Sequence, residues 1–150
     1  MVMTRGKVLR IIDNDRIKEA IRRAEKRTSG EIRVSMSSLF WGDVRKAAER
    51  AFARMGMTAT RERNAVLFFI VPARRRIVVL GDSGIHAKVG QECWHEIVRI
   101  VSEKFREGDF TDGLVRGIAV VGEQLAKHFP SDAAHDSNEL PDDVDYGPTI

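Results

Sequence analysis

Residues 105–118 read Phe-Arg-Glu-Gly-Asp-Phe-Thr-Asp-Gly-Leu-Val-Arg-Gly-Ile, and this stretch says most about the fold of the chain. It combines a loop at Gly108 and Asp109, a helix start at Thr111, and two glycines four residues apart, Gly113 and Gly117. A glycine inside a helix costs about 1 kcal/mol relative to alanine. The pair therefore predicts a helix face that presses closely against another backbone.

Hydrophobic periodicity along the whole chain, including this stretch, predicts the element order α-β-α-β-β-α-α. The predicted strands are residues 31–36, 66–71 and 77–80, and the predicted helices are residues 13–28, about 43–55, about 91–105 and about 111–128. Residues 31–36 alternate and predict a half-buried strand, whereas residues 66–71 are continuously apolar, as expected of a central strand. The short connection through Pro72 predicts an antiparallel hairpin, and the helix between the first two strands predicts a right-handed parallel crossover.

These elements predict an α/β fold, a three-layer α/β/α sandwich with a mixed central sheet of about four strands. Residues 1–130 are expected to form a single domain. Residues 131–150 hold six acidic residues, no Lys or Arg, and no periodicity, which predicts a disordered acidic tail. The other 130 residues carry 25 Lys and Arg against 16 Asp and Glu, a net charge of +9, while the whole chain has +3.

Composition limits the cellular setting and the class of partner. A single cysteine, Cys93, excludes an internal disulfide and is typical of a reducing compartment. Residues 1–10 show no secretory signal, and the longest apolar run, residues 65–73, is shorter than the roughly 20 residues that a membrane span needs. We therefore expect a cytoplasmic protein without a membrane span. Nucleic acid is not expected as a partner, because the arginines at 74–76 lack interleaved aromatic residues.

Several segments taken together resemble the TPM domain, a family named for thylakoid, photosystem II repair and acetylcholine-receptor-modulating members. They span residues 13–129 in order and comprise Gly30-Glu31-Ile32-Arg33-Val34, residues 48–57, Arg63-Asn64-Ala65-Val66-Leu67, residues 76–85, and the Gly108-Asp109-Phe110 and Gly113–Gly117 motifs of residues 105–118. The resemblance implies an α/β/α sandwich. It also implies the functions described for the family: low-activity acid phosphatase, binding of cations including calcium, and maintenance of membrane proteins.

Strand directions place three polar segments at one edge of the predicted sheet. If the first two strands are parallel and the last two form a hairpin, the starts of the first two and the end of the third meet there. This edge collects the candidate ligand-binding residues Glu31, Arg61, Asn64, Asp82 and Ser83. Carboxylate, amide and hydroxyl oxygens suit calcium or magnesium, and the arginines suit a phosphate-bearing ligand.

A purely structural role for these residues is the alternative. Glu31 and Asp82 can pair with Arg61 or Arg63, or cap the helix that begins near Ile85, without any ligand. The sequence leaves both interpretations open.

Asp109 and Asp112 are further candidate metal ligands beside Glu31 and Asp82. They reach the same cleft only if the preceding helix is bent or short, because a straight helix over residues 91–105 spans about 22 Å and carries them to the opposite edge. The simpler interpretation of Asp112 is a favourable negative charge at a helix N-terminus.

The sequence therefore predicts a binding module with a divalent-cation or phosphate site and an unidentified protein partner. The first alternative is a low-activity acid phosphatase acting at the same edge, although the chain lacks the known phosphatase motifs and catalytic residues cannot be assigned. The second alternative is a scaffold whose acidic tail folds over the basic body. A site for a soft metal at Cys93 and His95 is disfavoured, because C-x-H lacks the paired ligands of a zinc motif.

Overall fold

The computed structural model describes residues 12–39, 41–131 and 144–147 of the chain. Within these ranges the strands are β1 (Glu31–Met36), β2 (Ala65–Val71) and β3 (Arg76–Gly81), and the helices are α1 (Asn14–Glu25), α2 (Val44–Arg54), α3 (Ser83–Lys88), α4 (Gln91–Arg106) and α5 (Phe110–His128). A single 3-10 turn, Pro72–Arg74, joins β2 to β3. The predicted elements are confirmed, and the short helix α3 is added before α4.

The sheet has the order β1-β2-β3, with β1 parallel to β2 and β3 antiparallel to β2. The parallel crossover strands and the hairpin are thus confirmed, but the prediction of about four strands is wrong for the described residues, where the sheet has three. The place beside β1 is taken by residues 144–147, which we call the tail segment. They form only one bridge to β1, between Asp145 and Ser35, and no strand.

Two hydrophobic clusters cover the two faces of the sheet, which gives the three layers. One face packs against α1, α4 and α5 through residues such as Ile17, Val101 and Ile118. The other face packs against α2 through Val44, Ala48 and their neighbours. Because β2 contributes alternate side chains to both clusters, all seven of its residues are buried, as expected of a central strand.

The polar face of β1 is buried as well, against the prediction of a half-buried strand. Glu31, Arg33 and Ser35 alternate with the apolar residues of β1 and are 3%, 8% and 1% exposed. At Ser35 the cause is visible, because its hydroxyl donates a hydrogen bond to Asp145 of the tail segment at 2.7 Å. The alternation of residues in β1 does not indicate that a segment distant in sequence will bury its polar face.

The glycines of α5 do pack closely, as predicted, but against side chains and not against another backbone. A Cβ on Gly117 would lie 2.5 Å from Cγ2 of Val101 in α4, and one on Gly113 would lie 3.0 Å from Cβ of Lys104. The nearest atoms belong to side chains of α4 rather than to its backbone. These glycines let α5 lie close to α4 and fix the helical layer that backs the sheet.

Most of the predicted acidic tail, residues 132–143 and 148–150, lies outside the described residues. The tail segment lies against β1, with partly buried Val144 and Tyr146 packed on the larger hydrophobic cluster. The domain boundary at residue 130 stays a prediction.

Candidate functional site

The polar segments predicted to meet at one edge of the sheet do meet there. The register pairs Glu31 with Ala65 and Val66 with Gly81, so the start of β1, the start of β2 and the end of β3 are neighbours. We call this region the polar edge; it comprises Glu31, the loop of residues 61–64, Asp82 and Ser83.

The loop of the polar edge is held in one conformation by backbone contacts. Thr60 anchors it, because its Oγ1 accepts from the amide of Asn64 at 3.1 Å. Arg63 has a left-handed backbone with φ of 51°, which is uncommon for a residue with a side chain. Its carbonyl accepts from the amide of Gly84 at 2.8 Å. The loop is therefore tied to the first turn of α3.

Gly84 permits this contact because it has no side chain. A Cβ at this position would overlap the carbonyl oxygen of Glu62 and lie 2.7 Å from that of Arg63. Both obstacles are backbone atoms, which cannot turn away as a flexible side chain can. The position therefore requires glycine, and the polar edge depends on it.

Asp82 takes the structural role that the sequence left open as the alternative. Its Oδ2 accepts from Nε of Arg63 at 2.6 Å and its Oδ1 from Nη2 at 2.9 Å, a bidentate ion pair. Oδ1 also accepts from the amide of Ser83 at 2.8 Å, so Asp82 caps the N-terminus of α3. The hydrogen bonds that Arg63 donates to Asp82 raise the pKa of the arginine above its ordinary value. Ser83 itself is exposed at the start of α3.

Asn64 has a different environment from Asp82. Its side chain is 1% exposed, and its Nδ2 donates to Oγ of Ser29 at 3.2 Å. Ser29 in turn donates to Oε2 of Glu62 at 2.6 Å. Oδ1 of Asn64 is buried without a hydrogen-bond donor within the described part of the chain. Glu31, also buried, adjoins it in the ladder, where the Glu31 amide donates to the carbonyl of Asn64 at 3.4 Å.

The structure does not bring Asp109 and Asp112 to the polar edge. Helix α4 has 16 residues and therefore a length of about 24 Å, which places its C-terminus at the far end of the sheet. There Nη1 of Arg75, in the β2–β3 turn, donates to the carbonyl of Arg106 at 3.0 Å. Asp112 forms an ion pair with Arg16 at 3.0 Å. Asp109 and Asp112 therefore lie towards the opposite end of the sheet from Glu31 and Asp82, and the four residues form no common metal-holding group in the described part of the chain.

Within residues 12–39, 41–131 and 144–147, no three His, Cys, Asp or Glu side chains group in a way that could hold a metal ion. A cation at the polar edge would therefore need Asn64, a hydroxyl or backbone carbonyls among its ligands. Arg61 and Glu62 are exposed at its rim.

Sequence reasoning missed Ser29 and Gly84, the two residues that shape the polar edge most. Ser29 precedes β1 directly, so its position beside the loop follows from the strand register. Gly84 carried a signal too, since a glycine in the first turn of a helix has no local need for conformational freedom. Glycine is needed at position 84 because the backbone of residues 62 and 63 approaches it closely.

The sequence profile of the TPM domain matches residues 2–124, which is most of the chain. The chain belongs to the TPM domain family. A solved structure of the BA42 protein from the psychrophilic bacterium Bizionia argentinensis is 34% identical, with 95% of this chain and 99% of that one covered and a TM-score of 0.85. The N-terminal domain of cg2496 from Corynebacterium glutamicum shares the fold at 14% identity, with 91% and 79% covered and a TM-score of 0.58.

No curated protein matches the chain in a sequence comparison. None of the helices in the described ranges is both long and apolar enough to cross a bilayer.

Proposed function

We propose that this TPM domain is a binding module whose ligand site is the polar edge, and that the ligand contains a divalent cation, calcium or magnesium. The observation that carries the proposal is the buried Oδ1 of Asn64, which has no donor among the described residues. A buried polar atom without a partner costs about 1–3 kcal/mol. A cation bound to this oxygen would offset that cost.

The chemistry around Asn64 supports a hard cation. An amide oxygen is a normal calcium ligand, and Glu31 and Glu62 are the carboxylates nearest along the ladder and the loop. Asp82 is less suited, because both of its oxygens already accept hydrogen bonds from Arg63 and Ser83. Its part in the site is to hold the loop.

A ligand must displace part of the loop to reach Oδ1, because that atom is shielded from solvent. The side chain of Arg61 is exposed at the rim, so it can move aside without loss of core packing, and the exposed side chain of Glu62 can turn its carboxylate toward the cation. Arg61 and the hydroxyl of Ser83 then lie where they can contact a phosphate or another anion that accompanies the cation. This accounts for a cation and a phosphate-bearing ligand at one place.

Titration of the full chain with calcium or magnesium, followed by amide chemical shifts, tests the proposal. We expect the largest shifts at Glu31, Asn64 and Gly84. Asn64→Asp should tighten cation binding by about tenfold, because it adds a negative charge without changing the volume of the side chain. Asp109→Asn is the matched control at the far end of the sheet and should leave binding unchanged. Shifts centred on Asp109 and Asp112, or none at all, contradict the proposal.

A low-activity acid phosphatase at the polar edge is the alternative function. Its test is the hydrolysis of a chromogenic phosphate ester by the wild type and by Asp82→Asn, with thermal unfolding recorded for both. Equal residual rates in the two folded proteins indicate a contaminant rather than catalysis.

Regulation by the acidic tail is the second alternative. The contact between the tail segment and β1 favours an attachment of the tail to the body. If tail contacts with the basic body control partner binding, removal of the chain beyond Pro130 should change that binding at low salt and have little effect above about 0.1 M salt.

A further inference from the structure

The tail segment pairs with the outer edge of β1 through backbone hydrogen bonds, as an added strand would. The amide of Asp145 donates to the carbonyl of Val34 at 2.9 Å, and the amide of Met36 donates to the carbonyl of Asp145 at 2.7 Å. An edge strand offers such unpaired groups to any extended backbone. In the tail segment the amide and the carbonyl of one residue, Asp145, satisfy two of these groups.

Side chains add selectivity to the backbone contact. Arg54, the last residue of α2, donates from Nη1 to Oδ1 of Asp145 at 3.1 Å and from Nη2 to Oδ2 at 2.6 Å. Ser35 donates to Oδ2 at 2.7 Å, and the amide of Gly147 donates to the same oxygen at 3.2 Å. A planar guanidinium that meets a carboxylate in this way distinguishes aspartate from amides and neutral side chains.

Tyr146, the next residue, contacts the opposite side of the edge. Its ring packs against the hydrophobic cluster shared by α1 and β1, and its hydroxyl donates to Oδ1 of Asn14 at the start of α1. Successive residues of an extended segment point to opposite sides. The edge thus binds an aspartate on one side and an aromatic residue on the other.

Asp145 is charged in this contact. Its burial would raise the pKa of the carboxyl, but the hydrogen bonds from Arg54, Ser35 and Gly147 outweigh burial and lower the pKa below its ordinary value. The ion pair with Arg54 is therefore present at neutral pH.

We propose that the outer edge of β1, with Arg54, Ser35 and Asn14, is a docking site for an extended Asp-aromatic segment of a partner protein, and that the tail segment occupies this site in cis as a built-in competitor. This docking site lies at the other end of β1 from the polar edge and is independent of the cation site. Strand addition of this kind obtains its affinity from main-chain hydrogen bonds and its selectivity from alternate side chains.

The tail segment shows what the edge needs from an occupant. All of these contacts come from residues 144–147, which are separated in sequence from Ser131 by residues 132–143. An equivalent short segment in another chain can make the same hydrogen bonds. The charge fits as well, since an acidic segment meets a body of net charge +9.

Tethering gives the tail segment its advantage over a free competitor. Covalent attachment through residues 132–143 holds the tail segment near the edge, and tethering of this kind produces an effective concentration on the order of 1 mM. A partner must exceed that local concentration, so the edge is available only to a segment that binds well or is itself held nearby. The tail would then set a threshold for the interaction.

The test uses the full chain with the double substitution Asp145→Ala/Tyr146→Ala, which frees the edge, and a fluorescent peptide with the sequence of residues 140–150. Anisotropy should show binding to the freed chain that is at least about tenfold tighter than to the wild type, where the cis segment competes. Binding should restore slow exchange of the Met36 amide, the donor in the added strand. A peptide with Asn in place of Asp145 should bind at least about tenfold more weakly.

Two variants of the freed chain locate the site. Arg54→Ala should remove peptide binding, whereas Arg50→Ala, which deletes an exposed arginine of the same helix, should not. Asp145→Asn alone provides a milder opened form if the double variant does not fold. Equal loss with Arg50→Ala would mean only attraction to positive charge and would overturn the proposal.

Three further results would overturn it. If the folded variant without the tail contact fails to bind the peptide, the contact between the tail segment and β1 is only part of the fold and not a docking site. Peptide binding without protection of Met36 would place it elsewhere. Concentration-dependent dimers of the wild type that vanish with Asp145→Asn would make a second copy of this chain the occupant.

Discussion

Two bidentate arginine–aspartate pairs lie near opposite ends of β1, and they differ in what they connect. Arg63 and Asp82 are 19 positions apart and join a loop to the start of a helix. Arg54 and Asp145 are 91 positions apart and join the end of a helix to the tail segment. Their chemistry is alike, but their places in the chain are not. Connectivity, rather than the pair itself, therefore decides whether such a contact is part of the fold or can be released.

Exposure confirms that the chemistry is alike. The carboxylate side chains are 6% and 14% exposed, and those of their arginines 48% and 36%. In both pairs a desolvated carboxylate meets an arginine that reaches solvent. Breaking the first pair strains a loop within the domain, whereas breaking the second releases a segment at the end of a long connection. Substitutions at the two pairs and at their supports should separate these outcomes.

Gly84→Ala should produce the largest loss of stability, about 3 kcal/mol, because the new methyl group overlaps two backbone carbonyls of the Arg63 loop. Urea unfolding measures it. Gly90→Ala is the matched control, since a Cβ there has nothing within 4 Å and the backbone conformation suits any residue. Similar losses in both variants would show that helix-start glycines are needed for a reason other than this close approach.

Asp82→Asn should cost about 1–2 kcal/mol of unfolding free energy, because it weakens both the cap of α3 and the bidentate pair. Asp109→Asn is the comparison at the other end of α4, where the aspartate precedes α5 but makes no side-chain cap hydrogen bond. It should change stability by less than about 0.5 kcal/mol. Equal effects would contradict the structural role given to Asp82.

Asp145→Asn should lower global stability by less than about 1 kcal/mol while it detaches the tail segment. Hydrogen exchange gives the sharper readout, since the Met36 amide should exchange about threefold faster as the tail detaches. The amides in the middle of β2 should be unaffected. A global loss as large as that of Asp82→Asn would place the tail segment inside the cooperative fold.

Acidification should detach the tail segment without a substitution. Since the folded-state pKa of Asp145 is lowered, its contribution is fully present above the unfolded value of about 3.9 and is lost as the pH falls through the folded value. Met36 should therefore stay protected at pH 5 and lose protection only below about pH 4. Asp145→Asn should remove this pH dependence. Loss of protection already between about pH 7 and 5 would implicate a different group.

The sequence was sufficient for the parts of the fold that depend on local pattern. Alternation in β1, the apolar run of β2 and the spacing of the glycines in α5 are each visible within a few residues of sequence. Strand direction then predicted that Glu31, Asn64 and Asp82 meet at one edge. For Asp109 and Asp112 the sequence supplied only a condition, since they would reach this edge if the helix before them were bent or short.

What the sequence could not decide depends on contacts between distant segments. It left open whether Asp82 would face a ligand or Arg63, since both outcomes use the same residue types. It gave no sign that Asp145 would pair with Arg54, because the acidic tail has no periodicity to mark a docked residue. The buried state of Ser35 was missed for the same reason. The charge difference predicted that the acidic tail is attracted to the basic body, but it did not predict where on the body the tail binds.

The contact between α5 and α4 has a consequence for how these helices can vary among related proteins. Any side chain at position 117 would press into Val101 and approach Phe68 at 3.1 Å. Alanine at 117 therefore requires a smaller residue at 101, and the two positions should change together. Covariation of this pair across TPM domains would record the spacing of the helical layer without reference to any ligand.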